Sequence, residues 1–336
     1  MARIFITGAA GFIGFHLSQL LLGQGHVVHG FDSLNAYYDV ALKKARLNQL
    51  KEQENFAFTH ALLEDETALN KAADVAKPDV IVHLAAQAGV RYSLENPRAY
   101  IDSNVVGAFN VMEVARKHRV NHLMMASTSS VYGAIPEMPF RETTKADAPM
   151  TIYAATKKAA EAMGHSYAHL HNIPTTMFRF FTVYGPWGRP DMAYMLFTKA
   201  ILEDEPIKVF NYGKHNRDFT YVDDIVEGVI NAAEHIPAGN PDWAPKNPDP
   251  SSSPAPFRVY NIGNNSPVKL EDFILAMENA LGKKAIREEL PLQPGDVPDT
   301  WADCGDLEKD FGYTPSTPVG EGINKFIAWY REYYDV

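Results

Sequence analysis

Three glycines, Gly8, Gly11 and Gly14, stand between a short apolar run, Arg3 to Thr7, and an apolar segment of helical character, Phe12 to Leu22. Few folds use that spacing. Gly8 permits a sharp turn, Gly11 lets backbone approach a pyrophosphate, and Gly14 allows a helix to pack closely on a strand. The helix start then offers free N–H groups and a positive dipole end to an anion. A tight turn alone would explain one such triplet, so its surroundings decide. A second apolar run, Val27 to Phe31, ends at Asp32, about 20 residues on, where an acid accepts hydrogen bonds from an adenosine ribose and repels a 2′-phosphate. No Arg follows directly: the next residues are Ser33, Leu34 and Asn35. This predicts NAD rather than NADP. Lys43, Lys44 and Arg46 are the basic residues nearby, and the plain reading of that trio is a solvated helix face.

The alternation continues. Ala41 to Lys51, Leu69 to Ala76, Tyr100 to His118 and Thr151 to Leu170 read as helices. Phe56 to His60, Val80 to Ala85, His122 to Ser127 and Thr175 to Phe181 read as strands. Strands alternating with helices predict an α/β fold, a doubly wound parallel Rossmann sheet with helices on both faces. We expect this unit over 1–182, with a return at about 212–263. A smaller C-terminal α/β lobe for substrate is expected over 183–211 and 264–336, with helices at Lys269 to Leu281 and Val319 to Tyr333. Residues 237–257 carry seven prolines, which forbid regular structure. A further strand, Arg258 to Ile262, follows that loop.

Composition excludes several functions. The net charge of −10 disfavours nucleic acid as a partner and means that an anionic ligand must be held by local donors. One cysteine, Cys304, excludes an intrachain disulfide and a multi-cysteine metal site. It predicts a reducing, cytoplasmic setting. No apolar run reaches the roughly 20 residues that span a bilayer, and glycines interrupt the apolar N-terminus where a signal peptide would be unbroken. Cys304 is expected in a polar loop, without a basic neighbour to make it a nucleophile. His165 and His169, four apart, lack a third ligand, so no metal is expected. His83 reads as a packed, hydrogen-bonded strand residue. No P-loop or Gly-x-Ser-x-Gly occurs.

Tyr153 and Lys157, four apart in a helix, share one face. A phenol of pKa ≈ 10 must lose about three units to act as a base near neutrality. An ammonium at about 4 Å supplies roughly that much. Ser127, Thr128, Ser129 and Ser130 end a strand at the carboxyl edge of the sheet, where ligands of such sheets bind.

These segments resemble a known family. TGAAGFIG, HLAAQAGVRYS, ASTSSVYG and YAATK are similar to the extended short-chain dehydrogenases/reductases that act on nucleotide sugars. RFFTVYGPWGRPDM, RDFTYVDDI, YNIGNNSPV and LQPGDVPDTWAD are closer still to the UDP-glucuronate 4-epimerases. The resemblance implies Tyr153 as base, Lys157 as its partner and ribose anchor, and Thr128 as the hydroxyl on the sugar O4. It implies cofactor contacts from Gly8, Gly11, Phe12, Ile13, Gly14, Asp32, Asn35, Lys43, Ala85, Ala86, Gln87, Asn104, Tyr153, Lys157 and Val183. It places Arg217 on the diphosphate or uridine, Arg189 near the uracil and Asp296 on the uridine ribose. Gly89, Arg91, Ser129, Ser130 and Thr182 complete the implied substrate set. Where many relatives carry Asp-Leu after the third strand, this chain has Ala61-Leu62, so adenine recognition falls to the backbone of Leu62. Relatives form dimers through two long helices, so a homodimer is expected.

The hydroxyl run separates the reactions of this scaffold. Dehydratases resemble Thr-Asp-Glu at Thr128-Ser129-Ser130, and UDP-glucuronate decarboxylases resemble Thr-Ser-Glu. Here no carboxylate is present to eliminate water or repel a uronate. Thr128, Ser129, Ser130 and Thr182 offer donors to an anion. The expected activity is reversible, NAD-dependent 4-epimerisation of UDP-glucuronate to UDP-galacturonate through a 4-keto sugar. UDP-glucose or UDP-N-acetylhexosamine epimerisation and, further off, UDP-glucuronate decarboxylation are the alternatives. A non-enzymatic NAD-sensing scaffold would need no base, and the intact Thr128, Tyr153 and Lys157 disfavour it.

Overall fold

The computed structural model describes residues 1–293 and 297–336. Seven parallel strands form the main sheet. They are β1 (Arg3–Thr7), β2 (Val27–Asp32), β3 (Phe56–His60), β4 (Val80–His83), β5 (His122–Thr128), β6 (Thr175–Phe180) and β10 (Phe257–Ile262), in the order β10-β6-β5-β4-β1-β2-β3. The order reverses between β1 and β4, and a cleft opens there at the strands' carboxyl ends, as it must in a doubly wound sheet. Central strands are buried because both faces are covered: His122 to Thr128 is buried at every position.

Helices α1 (Phe12–Gly23), α2 (Val40–Lys51) and α9 (Val222–Ala233) lie on one face; α1 packs against α9 through a core that includes Phe15, Leu17, Ile225 and Val229. Helices α3 (Glu66–Ala76), α6 (Ala108–His118) and α7 (Ile152–His171) cover the other, over Phe5, Ile81 and Leu123. Each capped start has a chemical cause. Asp39, Asp65 and Thr151 accept a backbone N–H from the first turns of α2, α3 and α7.

The remaining elements form the smaller lobe. Strand β9 (Asn216–Tyr221) pairs with β7 (Thr182–Tyr184), β11 (Pro267–Lys269) and β13 (Asp299–Thr300); β8 (Pro206–Phe210) pairs with β12 (Ile286–Leu290). Helices α8 (Ala193–Leu202), α10 (Leu270–Leu281), α11 (Gly305–Phe311) and α12 (Val319–Tyr334) complete the lobe, and two short helices, α4 (Tyr92–Glu95) and α5 (Pro97–Tyr100), precede α6. Asp218 ties two loops of this lobe to β9, accepting the N–H groups of Asn264, Asn265 and Ala302 and the Thr220 hydroxyl.

Four expectations change. The strand expected to Ala85 stops at His83, because Leu84 and Ala85 turn to form the cleft wall. The helix expected from Tyr100 is a wider π turn over Ile101–Gly107 before α6 begins. Of the segment expected to return to the main sheet, α9 and β10 do so, whereas β9 joins the small sheet. Cys304 is not in a polar loop: it is buried under Gly263, whose carbonyl faces its thiol, and burial pushes that thiol up. The segment 237–257 is irregular except at Phe257, which opens β10. Asp249 fastens the segment by accepting the Ser251 and Ser252 hydroxyls.

Candidate active site

The glycines of the first turn are steric necessities. Gly8 has φ +76°, and a Cβ there would sit 2.7 Å from the Ala85 nitrogen. A Cβ on Gly14 would lie 2.1 Å from the Gly8 carbonyl oxygen, so α1 can start against β1 only without one. The first N–H groups of α1 lack intrahelical acceptors and open on the cleft. That cleft has a volume of about 690 Å³. Gly8, Gly11, Phe12, Ile13, Gly14, Asp32, Asn35, Lys43, Leu62, Ala85, Ala86, Gln87 and Val183 line it, with Tyr153 and Lys157 at its inner end.

Asp32 closes β2 at the outer end. Its Oδ2 accepts from Ala10 N at 3.1 Å and its Oδ1 from Leu34 N at 2.8 Å. Burial raises its pKa, and those two N–H groups with the Lys43 and Arg46 charges oppose the rise. The solvated helix face expected for the basic trio is wrong for two of the three. Lys43 is buried over the Tyr38 ring with its ammonium on Asn35, and Arg46 is fully buried; only Lys44 faces solvent. The reason is helical spacing: 43, 46, 47 and 50 fall on the face of α2 that packs inward.

A smaller cavity of about 310 Å³ adjoins the cleft. Gly89, Thr128, Ser129, Ser130, Thr182, Arg189 and Arg217 line it, and Thr128, Tyr153 and Arg189 belong to both spaces. Thr128 ends β5 and caps a short 3₁₀ turn through Ser130 N, which aims the three hydroxyls at the cavity. Its described lining contains two arginines and no carboxylate. The basic site is thus local in a chain of net charge −10.

Tyr153 and Lys157 occupy the first two turns of α7, started by Thr151. Burial pushes the Tyr153 phenol up; the Thr128 hydroxyl and the Arg189 charge pull it back. Lys157 lies one turn further along α7 and lines the same cleft. Burial brings its ammonium down to about 8 against the opposing pull of Glu161, and its charge is felt by His83. His83 behaves as the sequence suggested. It is buried, bonded to Thr7 Oγ1 at 2.7 Å, and desolvated to a pKa of about 3, so it stays neutral.

Other candidates stand apart from the cavities. Asn104 clamps the backbone N and O of Gln87 and bonds Thr156, so it shapes the cleft wall rather than lining it. Arg91 is exposed over the Phe210 ring and lines neither cavity. Arg189 stands beside Tyr153 and is held by Asp191 at 2.6 and 3.1 Å. Arg217 reaches Pro298 O and Val297 O, both at 2.6 Å. Asp296 lies outside the described residues. His165 edges Phe257, His169 is exposed, and no group of potential metal ligands occurs among the described residues.

With this geometry in view, comparison with known proteins is decisive. Residues 4–263 match the NAD dependent epimerase/dehydratase family. The chain belongs to that family. A probable UDP-glucuronate 4-epimerase of Rhizobium meliloti is 52% identical over 333 residues, covering 99% of this chain and 98% of the relative. The crystal structure of a UDP-glucuronic acid 4-epimerase from Bacillus cereus, in complex with UDP-glucuronic acid and NAD, is 32% identical. It superposes with a TM-score of 0.87 over 98% of this chain and 99% of that one. A Thermus thermophilus UDP-glucose 4-epimerase with NAD is 26% identical, with a TM-score of 0.84 over 98% and 99%.

In this epimerase/dehydratase chain several working residues escaped the sequence reading. Glu161, one turn beyond Lys157 on the same face of α7, accepts from Ser127 at 2.6 Å and pairs with buried Arg179 at 2.8 and 2.9 Å. It thereby fixes the helix carrying Tyr153 to the strand carrying Thr128. The i+4 spacing was the available signal. Tyr37 crosses the cleft to Asp191 at 3.0 Å, and nothing local in the sequence announces that contact.

Proposed function

We propose that the protein catalyses reversible 4-epimerisation of UDP-glucuronate and UDP-galacturonate with a tightly held NAD. One observation carries the substrate choice: a cavity beside Tyr153 that offers three adjacent hydroxyls and two arginines, and no described carboxylate. A sugar nucleotide with a diphosphate and a uronate matches that lining. A neutral hexose would leave donors unused.

The cleft suits NAD because a Cβ on any of its three glycines would collide with backbone, and Asp32 stands where a ribose diol is read. Gly11, Phe12, Ile13, Asp32, Asn35, Lys43, Leu62 and Lys157 would hold it. NAD, when bound, takes hydride from the sugar C4 and returns it to the opposite face. Tyr153 takes the O4 proton and later gives it back, and the Thr128 hydroxyl steadies the same oxygen. Arg189 opposes the burial that raises the phenol, and its partner Asp191 works against it. Lys157 orients the nicotinamide ribose. Arg217 takes the diphosphate or uridine. Arg189 serves the sugar end, beside the phenol, rather than the uracil.

Oxidation at C4 makes the uronate a β-keto acid, which loses CO₂ when its carboxylate bond aligns with the ketone π-system. Thr128, Ser129, Ser130 and Thr182 hold that carboxylate out of alignment. Each such bond is worth roughly 1.5–3 kcal/mol. The lobes divide the work, with 1–182 and the returning α9 and β10 forming the NAD-binding unit, and 183–211 with β9 and 264–336 binding the UDP-sugar. The enzyme works in the cytoplasm; one cysteine suits a reducing setting, and no helix among the described residues is long and apolar enough to cross a membrane. It acts as a homodimer through the exposed Ile101 and Val106 of the π turn, Phe109 of α6 and Ile152 of α7.

The test is a product analysis. Wild type should convert UDP-glucuronate faster than UDP-glucose, with little CO₂ or UDP-pentose. Ser129→Ala and Ser130→Ala should leak these about tenfold more. Faster turnover of UDP-glucose would overturn the substrate choice.

A further inference from the structure

The reaction as described leaves one buried cation without a task. Arg46 is fully buried on α2. Its Nη1 donates to Ala10 O at 3.0 Å and to the Tyr38 hydroxyl at 2.8 Å. Its Nη2 donates to Trp187 O at 2.5 Å and to Gly188 O at 2.9 Å. The Nε is buried without a partner. Among the described ion pairs none involves Arg46. A guanidinium taken from water is usually matched by a carboxylate, because carbonyl dipoles alone compensate a whole charge poorly.

The carbonyls it holds come from two different sites. Ala10 lies in the glycine turn, and both its polar groups are committed: its N–H to Asp32, its C=O to Arg46. Trp187 and Gly188 directly precede Arg189. Trp187 adopts a left-handed backbone, φ +59°, which a bulky residue keeps only when held. The preceding carbonyl, Pro186 O, is taken by His16 Nε2 of α1 at 2.9 Å. Three consecutive carbonyls therefore turn toward the cofactor lobe and are captured there. No other described side chain bonds both the glycine turn and the loop leading to Arg189.

We propose that Arg46 is a positioning residue that couples the two sites, so that filling the cofactor cleft raises affinity for the anionic sugar nucleotide. The guanidinium fixes the spacing between the glycine turn and the Arg189 loop. Its charge lies directly behind the turn on which a dinucleotide pyrophosphate would rest, and that anion would add to the counter-charge of Asp32, whose carboxylate feels Arg46 without a described hydrogen bond to it. Tightening of the fork on Ala10 then also tightens the 187–188 carbonyls and seats Arg189. This inference rests on the cofactor and substrate reading above.

The test is a two-ligand cycle by calorimetry on the full chain in a Tyr153→Phe background, which prevents turnover. NAD and UDP-glucuronate are titrated separately and together, with Arg46 and with Arg46→Lys. Lysine keeps the charge but cannot fork across both loops. With Arg46 intact, NAD should raise UDP-glucuronate affinity at least about fivefold, the lower range for linked sites. With Arg46→Lys that gain should fall below about twofold, and NAD should bind about tenfold more weakly. Simple loss of stability would lower the melting temperature without changing the ratio. A full gain in Arg46→Lys overturns the proposal. If that variant does not fold, Tyr38→Phe, which removes one anchor of the fork, decides: a reduced gain supports the coupling and an unchanged gain refutes it. Failure of UDP-glucuronate to bind the Arg46 protein would instead refute the substrate reading, and the same cycle would then be read with UDP.

Discussion

The two halves of the active cleft are built on opposite principles. The cofactor side is largely a backbone surface: glycines at the end of β1 and the start of α1, and the turn after β4, with Asp32 closing β2 and Glu64 and Asp102 also on the lining. The substrate side is a side-chain surface, hydroxyls from the end of β5 and arginines from the loop before α8 and from β9. The first selects by shape, since a single added methyl would strike backbone. The second selects by charge and hydrogen bonding, and tolerates graded loss. Thr128, Tyr153 and Arg189 stand where the two surfaces meet, which is where the chemistry belongs.

If that contrast is right, the largest effect comes from the smallest substitution. Gly14→Ala puts a Cβ 2.1 Å from the Gly8 carbonyl, and the purified protein should carry no NAD when its denatured supernatant is assayed. Normal cofactor content would erase the distinction. At the seam, Tyr153→Phe should retain NAD and fold yet lose turnover on the order of 10²–10⁴-fold. Near-native rates would remove Tyr153 from the mechanism. On the substrate side, Arg217→Ala should weaken UDP-sugar binding by roughly 1.5–3 kcal/mol, with NAD affinity unchanged. Equal losses for both ligands would make Arg217 structural.

The smallest effect separates two buried glutamates. Glu161, in the cofactor lobe, is paired with Arg179 and held down at about 2, so its contribution is present above the ordinary carboxylate range and lost as pH falls toward 2. Glu142, at the border of the smaller lobe, accepts the Asn261 N–H without a cationic partner among the described ion pairs, and burial lifts it to about 7. Its raised pKa means that its contribution is full at acid pH and is lost as pH rises through 7. Glu142→Gln should therefore be near neutral at pH 5 and stabilise by about 2 kcal/mol at pH 8, measured by urea unfolding. A gain of equal size at both pH values would contradict that assignment.

The cofactor side was readable in the sequence because its determinants are local. The glycine triplet, Asp32, and Tyr153 with Lys157 each fall within one turn or one helix face, and the strand–helix alternation orders them. What escaped depends on distance along the chain. Arg46 reaches residues near 187 and Tyr37 reaches Asp191, so no spacing rule reveals them; Glu161 had its i+4 spacing from Lys157, but its partners Ser127 and Arg179 are remote in sequence. Lys43 and Arg46 were misplaced because charge outweighed the inward stripe of α2 in the reading. Cys304 was misplaced because polar neighbours in sequence are not neighbours in space.

The central claim is that C4 is oxidised and reduced within one binding event, at Tyr153, without exchange with solvent. UDP-glucuronate carrying deuterium at C4, incubated with the purified protein in ordinary water and analysed by NMR, tests this most directly. The account predicts UDP-galacturonate that retains the deuterium at C4 with inverted configuration. Protium at C4 of the product, or label released to water, would contradict it.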